Sequence, residues 1–235
     1  MTESRHAHSD QDAIWNYYQT EAIGSFDGAQ SRLSYLARQF KPGQSVLNIG
    51  IGSGFLEAEA QRRGLVVWTL DPSTDAVAAL RDRLDLGDRA QVGYSQNMPF
   101  GDSTFDAVVA SEVLEHLSDE ILHGTLVEIG RVLKPGGGFW GTVPARERLS
   151  DQVVVCPCCG QRFHRWGHHQ SFTTERMRTI LAEHFQVEQV FETYFAPWNT
   201  LNWKGSLLCL LKLLLLQVGV HGSEEKVVFQ ASKPG

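Results

Sequence analysis

Three glycines at every second position, Gly50, Gly52 and Gly54, close the apolar segment 45–54. Glycine accepts positive φ and has no Cβ, so the backbone N–H groups of such a turn can approach a ligand at the N-terminus of the next helix. Asp71 follows about 20 residues later, where a carboxylate can accept hydrogen bonds from ribose hydroxyls. Together these residues predict a site for a nucleotide-type cofactor; the alternative is a glycine turn without a ligand.

A second group of chemically active side chains lies in the segment 151–170. It contains two cysteines separated by two residues, followed by two histidines at knuckle-like spacing. Four such ligands would complete a tetrahedral and therefore structural zinc site, and the predicted ligands are Cys156, Cys159, His164 and His168. Cys158 or His169 could replace one ligand, and the alternative is a reduced thiol loop with exposed histidines. We expect the segment to overhang the carboxyl ends of the strands, where a substrate would enter, either as a lid or as an element that recognises the substrate.

Strands and helices alternate around these residues. Strands are predicted at 45–49, 65–70, 90–93, 105–110, 139–143, 185–195 and 227–232, and helices at 55–63, 74–84, 118–133 and 174–184. This alternation predicts an α/β fold with a parallel sheet and right-handed crossovers, whose ligands lie beyond the carboxyl ends of the strands. The glycine turn, Asp71 and the segment 111–116 all follow such strand ends.

Composition limits the class of protein. The 235 residues are enough for one α/β domain, and 42% hydrophobic with 20% charged residues is typical of globular proteins. The formal net charge of −6 argues against a nucleic-acid partner. Residues 1–13 lack a basic start followed by an apolar core, so we expect no secretory signal and a cytoplasmic location.

Four segments carry a resemblance to a known family. The sequences SVLNIGIGSG, VVWTLDPS, NMPFGDSTFDAVVASEVLEHL and RVLKPGGGFWGTVP, within residues 45–144, resemble in order and spacing the class I S-adenosylmethionine-dependent methyltransferases, in particular a bacterial group acting on small molecules. The resemblance implies a Rossmann-like, seven-stranded, mostly parallel sheet with helices on both faces and a final antiparallel hairpin. It is specific for the superfamily and leaves the methyl acceptor open.

The resemblance also implies which residues hold the cofactor S-adenosylmethionine. The implied contacts are Asn48, Gly50, Gly52, Gly54, Asp71, Pro72, Gln96, Asn97, Ser111 and Glu112. Two positions depart from the family, because Asn48 replaces a usual acidic residue and Tyr94 an aspartate often found near the adenine. The amide of Asn48 keeps a hydrogen-bonding role but gives up the charge attraction to the cofactor's ammonium group.

His116 is the predicted catalytic base. A hydroxyl acceptor needs a base as well as an aligned methyl donor, and His116 follows the fourth strand beside Glu115 with a side chain that titrates near neutrality. The alternative is that His116 only shapes the pocket. His169 and His123 are weaker candidates, and we expect His123 on a solvated helix face.

Two flanking segments complete the predicted organisation. Residues 1–40 are expected to form an N-terminal helical cap, disordered over the first ten residues and helical over 11–40, which covers the cofactor cleft or a sheet edge. Residues 41–235 form the main domain, with the Cys/His insert 151–170 and an apolar excursion 196–225. The leucine-rich run 207–220 is too short to span a bilayer, so it predicts a buried helix or a homodimer contact, or alternatively a helix docked on a membrane surface.

The sequence therefore predicts a methyltransferase that uses S-adenosylmethionine, with a structural zinc, and modifies an oxygen or nitrogen of a small molecule or glycan. One alternative is a carbon methyltransferase acting on a quinone-type precursor. Another is a cofactor-binding protein without catalysis, which Asn48 and Tyr94 keep open. A dehydrogenase is disfavoured because the turn reads G-x-G-x-G and the segment 98–117 has no counterpart there.

Overall fold

A seven-stranded sheet forms the centre of the domain. The computed structural model describes residues 14–235 except Asn16, Thr20, Asn199 and Ser223. Its strands are β1 (Ser45–Ile49), β2 (Val66–Asp71), β3 (Ala90–Val92), β4 (Phe105–Ser111), β5 (Leu133–Pro144), β6 (Val153–Val155), β7 (Arg162–His164), β8 (Gln186–Thr193) and β9 (Lys226–Ser232). The sheet order is β3-β2-β1-β4-β5-β9-β8, and β9 runs antiparallel to both of its neighbours. The other pairs are parallel, which confirms the predicted fold class.

Helices cover both faces of this sheet. Residues 14, 15 and 17–19 are α-helical, and after them the α-helices of the described part of the chain are α1 (Gln30–Ala37), α2 (Phe55–Arg62), α3 (Thr74–Leu84), α4 (Asp119–Val132), α5 (Thr174–Ala182) and α6 (Trp203–Gln217). Side-chain oxygens of Ser73, Ser118 and Thr173 accept hydrogen bonds from the first turns of α3, α4 and α5. These N-caps begin the helices at positions close to the predicted ones.

The two faces of the sheet have separate cores. Leu47 and Val108 belong to the core packed under α4 and α5, while their neighbours Val46 and Val109 belong to the core on the side of α1 to α3. Successive side chains of a strand point to opposite faces, so central strands covered on both sides must be apolar at nearly every position.

The N-terminal cap differs from the predicted single helix. A 3-10 helix, Ile23–Ala29, precedes α1. Gly24 and Gly28 lie in this segment, and glycine lowers helix propensity, which accounts for the irregular turn. The first thirteen residues, including those expected to be disordered, lie outside the described residues.

The Cys/His insert is a short hairpin that is separate from the central sheet. Strands β6 and β7 pair antiparallel, with Val153 opposite His164 and Val155 opposite Arg162. The cysteines occupy the turn between them, where Cys156 exchanges backbone hydrogen bonds with Gln161 and Gly160. The thiols therefore lie at the tip of the hairpin and His164 lies at its base.

The leucine-rich run forms α6, which connects β8 to β9. Cys209 faces the domain and is buried, and Leu213 and Leu216 are partly buried. The opposite side is exposed, so the prediction of a buried helix is wrong for this face; its exposed apolar side chains are Trp203, Leu207, Leu208, Leu210, Leu211, Leu214, Leu215 and Val218. None of the described helices is long and apolar enough to cross a membrane.

Candidate active site

A large cavity opens at the carboxyl ends of β1, β2, β4 and β5. Its volume is about 1900 Å³, and the 3-10 helix and α1 form one of its walls. It is lined by residues from every predicted part of the cofactor site, namely Asn48, Gly50, Gly52, Asp71, Pro72, Tyr94, Gln96, Ser111 and Glu112. Gly54 and Asn97 lie outside this lining. The topology thus brings most of the predicted residues to one edge of the sheet.

The glycine turn has the backbone that its composition predicts. Gly50, Gly52 and Gly54 have φ of 85°, 53° and 71°, in the left-handed region that favours glycine. A Cβ on Gly52 would lie 3.4 Å from the ring of Phe26, on the cavity side. A Cβ on Gly54 would lie 1.9 Å from the guanidinium of Arg83, so this glycine allows α3 to pack against the start of α2.

Asp71 is held in place at the end of β2. Its carboxylate accepts hydrogen bonds of 2.8 Å from the backbone N–H groups of Ile51 and Ser73 and from the side-chain amide of Gln19. Burial raises the pKa of Asp71 in spite of these donors. The other amide atom of Gln19, Oε1, is buried with no partner among the described residues. A carboxylate beside an unpaired buried amide oxygen fits the hydroxyls of a ribose, which both donate and accept hydrogen bonds.

A buried carboxylate lies directly beneath Asn48. The Asn48 amide nitrogen donates to Glu57 Oε1 at 2.7 Å and to the carbonyl of Gly50 at 2.8 Å, and the Thr69 hydroxyl donates to the same Glu57 oxygen at 2.9 Å. Glu57 is fully buried, and burial raises its pKa. Glu57, on α2 three residues after Gly54, therefore places a carboxyl group against Asn48, although it does not line the cavity.

The end of β4 carries a strained and charge-balanced turn. Glu112 has φ of 58°, which is unfavourable for a residue with a side chain. Its carboxylate accepts a hydrogen bond from Thr142 and pairs with Lys226 and with Arg32, whose Nε also donates to Ser111 Oγ at 3.0 Å. Burial opposes ionisation of Glu112, but these two cations outweigh it and lower the pKa of the group. The pairs fix Glu112 against the cavity wall.

His116 lies on the same cavity wall beside the base of the Cys/His insert. Its ring is 4.7 Å from that of His168, and its Nδ1 is 3.4 Å from the carbonyl oxygen of Gly167. Burial and the neighbouring His168 lower the pKa of His116 to about 3. An imidazole with this pKa is neutral at physiological pH and a weak proton acceptor, which counts against the predicted role of a general base.

The comparisons with known proteins agree with this geometry. A family model described as "Methyltransferase domain" matches residues 47–140. The matched domain belongs to the class I S-adenosylmethionine-dependent methyltransferases. A probable tRNA methyltransferase 9B of Mus musculus is 31% identical over 187 residues, which are 71% of this chain and 38% of the mouse protein.

Two further comparisons show how widely the acceptors of similar methyltransferases vary. A ubiquinone biosynthesis O-methyltransferase of Caulobacter vibrioides is 35% identical over 153 residues, covering 60% of this chain and 58% of that protein. A solved structure of a Burkholderia thailandensis didemethyltoxoflavin N1-methyltransferase, with its substrate and S-adenosylhomocysteine bound, superposes with a TM-score of 0.68 at 18% identity, covering 100% of this chain and 92% of that one. The chain spans less than two thirds of the length of both curated relatives. These comparisons support the fold and the methyltransferase domain and leave the acceptor open.

The structure does not bring the predicted set of four zinc ligands together. His164 and His168 form a group with Glu147, in which Glu147 lies 3.4 Å from His164 Nε2 and 2.5 Å from His168 Nδ1. Because His164 lies about three residues along the hairpin from the level of Cys156, it is on the order of 10 Å from the thiols. The thiols instead lie together in the turn of the hairpin. There the backbone N–H groups of Cys159 and Cys158 lower the pKa of Cys156.

The remaining predicted histidines lie in different surroundings. His169 lines the cavity, and its backbone N–H donates to the carbonyl of Glu115 at 2.7 Å. His123 is exposed on α4, beside His184, as expected for a solvated helix face. Thus His169 lies at the cavity and His123 does not.

Several residues of the site were not anticipated from the sequence. Gln19, Arg32, Glu57, Glu147 and Lys226 come from segments up to 114 positions away from the groups they contact. One local feature could have predicted Glu57, because it lies on the turn of α2 that packs under the glycines. The others carry no local pattern that distinguishes them from surface charges.

Proposed function

We propose that the protein transfers a methyl group from S-adenosylmethionine to an oxygen or nitrogen of a small molecule or glycan. The observation that carries the proposal is the meeting of the glycine turn, Asp71 and the segment after β4 around one cavity of about 1900 Å³. Such a volume exceeds the range of about 300–1,000 Å³ common for single small ligands, so it has room for donor and acceptor together.

The side chains have distinct tasks in this reaction. The cofactor supplies a methyl group that is already activated by its sulfonium. Asp71 would bind the ribose hydroxyls, and the positive-φ backbone of Gly50 and Gly52 would allow close approach of the amino-acid part. Ser111 and Glu112 would line the same part of the cavity. Alignment of two reactants in this way can lower the barrier by roughly 7–11 kcal/mol.

Calorimetry with S-adenosylhomocysteine tests cofactor binding. Asp71→Asn places an amide NH2 group toward at least one backbone donor, so we expect a loss of at least about 10-fold in affinity, equal to about 1.4 kcal/mol. Asp75→Asn, at an exposed position on α3, is the matched control and should bind like the wild type. Binding of NAD without binding of S-adenosylhomocysteine would overturn the proposal.

Acceptor profiling tests the reaction itself. Methyl transfer from labelled S-adenosylmethionine to catechols, amines, saccharides and quinone precursors would distinguish oxygen and nitrogen acceptors from the carbon-methylating alternative. Cofactor binding without consumption for every acceptor class would favour the non-catalytic alternative.

We further infer that the exposed face of α6 rests on a bilayer surface. Its apolar side chains from Leu207 to Val218 lie within about 160° of the helix circumference. Lys204 projects from the same exposed side, where it can reach lipid phosphates, whereas Lys212 pairs with Glu224. Residues on both sides of α6, Pro197 and Gly222, line the cavity. A membrane-bound acceptor would therefore meet the cavity at this surface.

Vesicle flotation tests this contact. The wild type should float with phosphatidylcholine vesicles containing phosphatidylglycerol, and Leu211→Gln with Leu214→Gln should reduce flotation severalfold. Val127→Gln, which removes a single exposed apolar side chain on α4, is the control. Absence of flotation together with a concentration-dependent dimer would reject the bilayer and identify a second copy as the partner.

A further inference from the structure

Three potential metal ligands converge on the acceptor side of the cavity. Glu115, His116 and His168 each place one ligand atom within 4.8 Å of those of the other two, and all three line the cavity. The first two follow β4, and the third comes from the loop after β7. Two imidazoles and one carboxylate are a donor set that binds first-row divalent cations and leaves coordination positions open.

Glu115 is the observation that separates this group from an ordinary polar cluster. Its residue is 1% exposed, and both carboxylate oxygens are buried with no hydrogen-bond partner among the described residues. A buried carboxyl group without a partner costs several kcal/mol unless something in the functional state compensates it. Glu112, by contrast, already has Arg32 and Lys226.

The two histidines are oriented as metal ligands usually are. His168 Nδ1 is 2.5 Å from Glu147 Oε2, and His116 Nδ1 faces the carbonyl oxygen of Gly167. Because Glu147 accepts a hydrogen bond at His168 Nδ1, the neutral His168 ring carries its lone pair on Nε2. A carboxylate or carbonyl behind a histidine fixes its ring orientation and tautomer for metal binding.

We propose that Glu115, His116 and His168 bind a divalent first-row transition metal ion in the acceptor part of the cavity, with Glu147 as the partner that orients His168. The assignment deepens the proposed methyl transfer and rests on it for the role of the ion. It favours hydroxyl acceptors, particularly those with two neighbouring oxygens that can occupy the open coordination positions.

The ion would help to remove the proton of the acceptor hydroxyl. A divalent cation lowers the pKa of a bound hydroxyl, whose proton passes to water. The acceptor oxygen then forms its bond to the methyl carbon as the carbon–sulfur bond breaks, and the sulfur leaves as a neutral thioether. No oxidant or reductant is needed.

Binding of Mn²⁺ alone, without cofactor or acceptor, tests the site. Mn²⁺ prefers carboxylate ligands to thiolates, so the cysteine turn does not obscure the result. Chelator-treated full-length protein is titrated with Mn²⁺ and followed by calorimetry and by loss of the free-ion paramagnetic resonance signal. We expect one ion per chain in the wild type.

Four variants locate the ion. Glu115→Gln and His168→Asn should weaken Mn²⁺ binding by at least about 100-fold, since loss of an outer partner alone costs about 10–100-fold. Glu147→Gln should weaken it by an intermediate factor. Cys159→Ser should bind like the wild type. Circular dichroism shows which variants fold, and His168→Asn, at a partly exposed loop position, remains informative if Glu115→Gln does not fold.

The outcomes separate the metal site from the methyltransferase itself. No Mn²⁺ binding by the wild type, or equal affinity in wild type and His168→Asn, overturns the site. If only Cys159→Ser loses Mn²⁺ binding, the ion binds at the thiol turn, and this result also overturns the proposed site. Titration of the same samples with S-adenosylhomocysteine tests the proposed function independently, because the cofactor contacts do not include these ligands.

Discussion

The change Asn48→Asp, which introduces the carboxylate expected in β1, should destabilise the protein. The Asn48 amide nitrogen lies 2.7 Å from Glu57 Oε1. An aspartate oxygen in that place would bring two carboxylates together in a fully buried setting. Two unit charges at this distance repel by about 6 kcal/mol at an effective dielectric constant near 20, so the pair would bind a proton instead. Loss of the amide hydrogen bond adds about 1.5–3 kcal/mol.

We therefore expect Asn48→Asp to lower the free energy of unfolding by about 2–4 kcal/mol at pH 7.5. The sign of the pH dependence follows from Glu57, whose pKa burial raises in the folded state. The folded state then binds more protons than the unfolded state, and stability falls as pH rises from the ordinary carboxyl range through the raised pKa of Glu57. Asn48→Asp should steepen this fall, and the variant should be closest to the wild type near pH 5.

Urea unfolding across this pH range measures the effect, and the double variant Asn48→Asp with Glu57→Gln is the decisive control. It exchanges the amide and the carboxylate between the two positions, so it should recover more than half of the lost stability. Calorimetry with S-adenosylhomocysteine should show no gain of affinity in Asn48→Asp alone. Wild-type stability of the single variant, or no recovery in the double variant, would refute the compensation of Asn48 by Glu57.

Two further predictions concern packing and charge. Gly54→Ala should destabilise the domain by about 2–4 kcal/mol, because φ is 71° and the added Cβ would meet Arg83, whereas Gly87→Ala, with φ of 53° and open space, should cost only about 1 kcal/mol in the same unfolding assay. Arg146→Met removes the arginine that pairs with both Glu192 and Glu225, so thermal unfolding should show a free energy of unfolding lower by about 2–3 kcal/mol. A similar loss in a Glu192→Gln, Glu225→Gln background would show that the ion pairs are not responsible.

Local sequence predicts the part of the fold that depends on neighbouring residues. The apolar runs of β1, β2 and β4, the caps Ser73, Ser118 and Thr173, and the glycine turn are all recognisable because each depends on spacing within a few positions. Asp71 was found for the same reason, since it ends a strand. The observed strand bounds differ from the predicted ones by at most two residues, with one exception. Strand β5 begins at Leu133, because this residue pairs with Phe105 ahead of the bulge.

The candidate site was harder to predict because its ligands meet across distant segments. The spacing of the cysteines and histidines, which is typical of a zinc knuckle, predicts that Cys156 and His164 lie close together. The hairpin register instead places His164 opposite Val153, away from the turn. His168 instead approaches His116, more than fifty positions earlier, and Glu147. Such groupings depend on how an insert folds back on the sheet, and no local pattern specifies that.

The position of β9 inside the sheet has a consequence for synthesis on the ribosome. Strand β9 lies between β5 and β8, although both are made before it. A nascent chain that has not yet reached Lys226 leaves β8 without a sheet partner and leaves an edge of β5 unpaired. Unpaired edges attract other strands, so the incomplete chain is more exposed to aggregation than the finished domain. The leucines of α6 emerge during the same interval and add apolar surface to the incomplete chain.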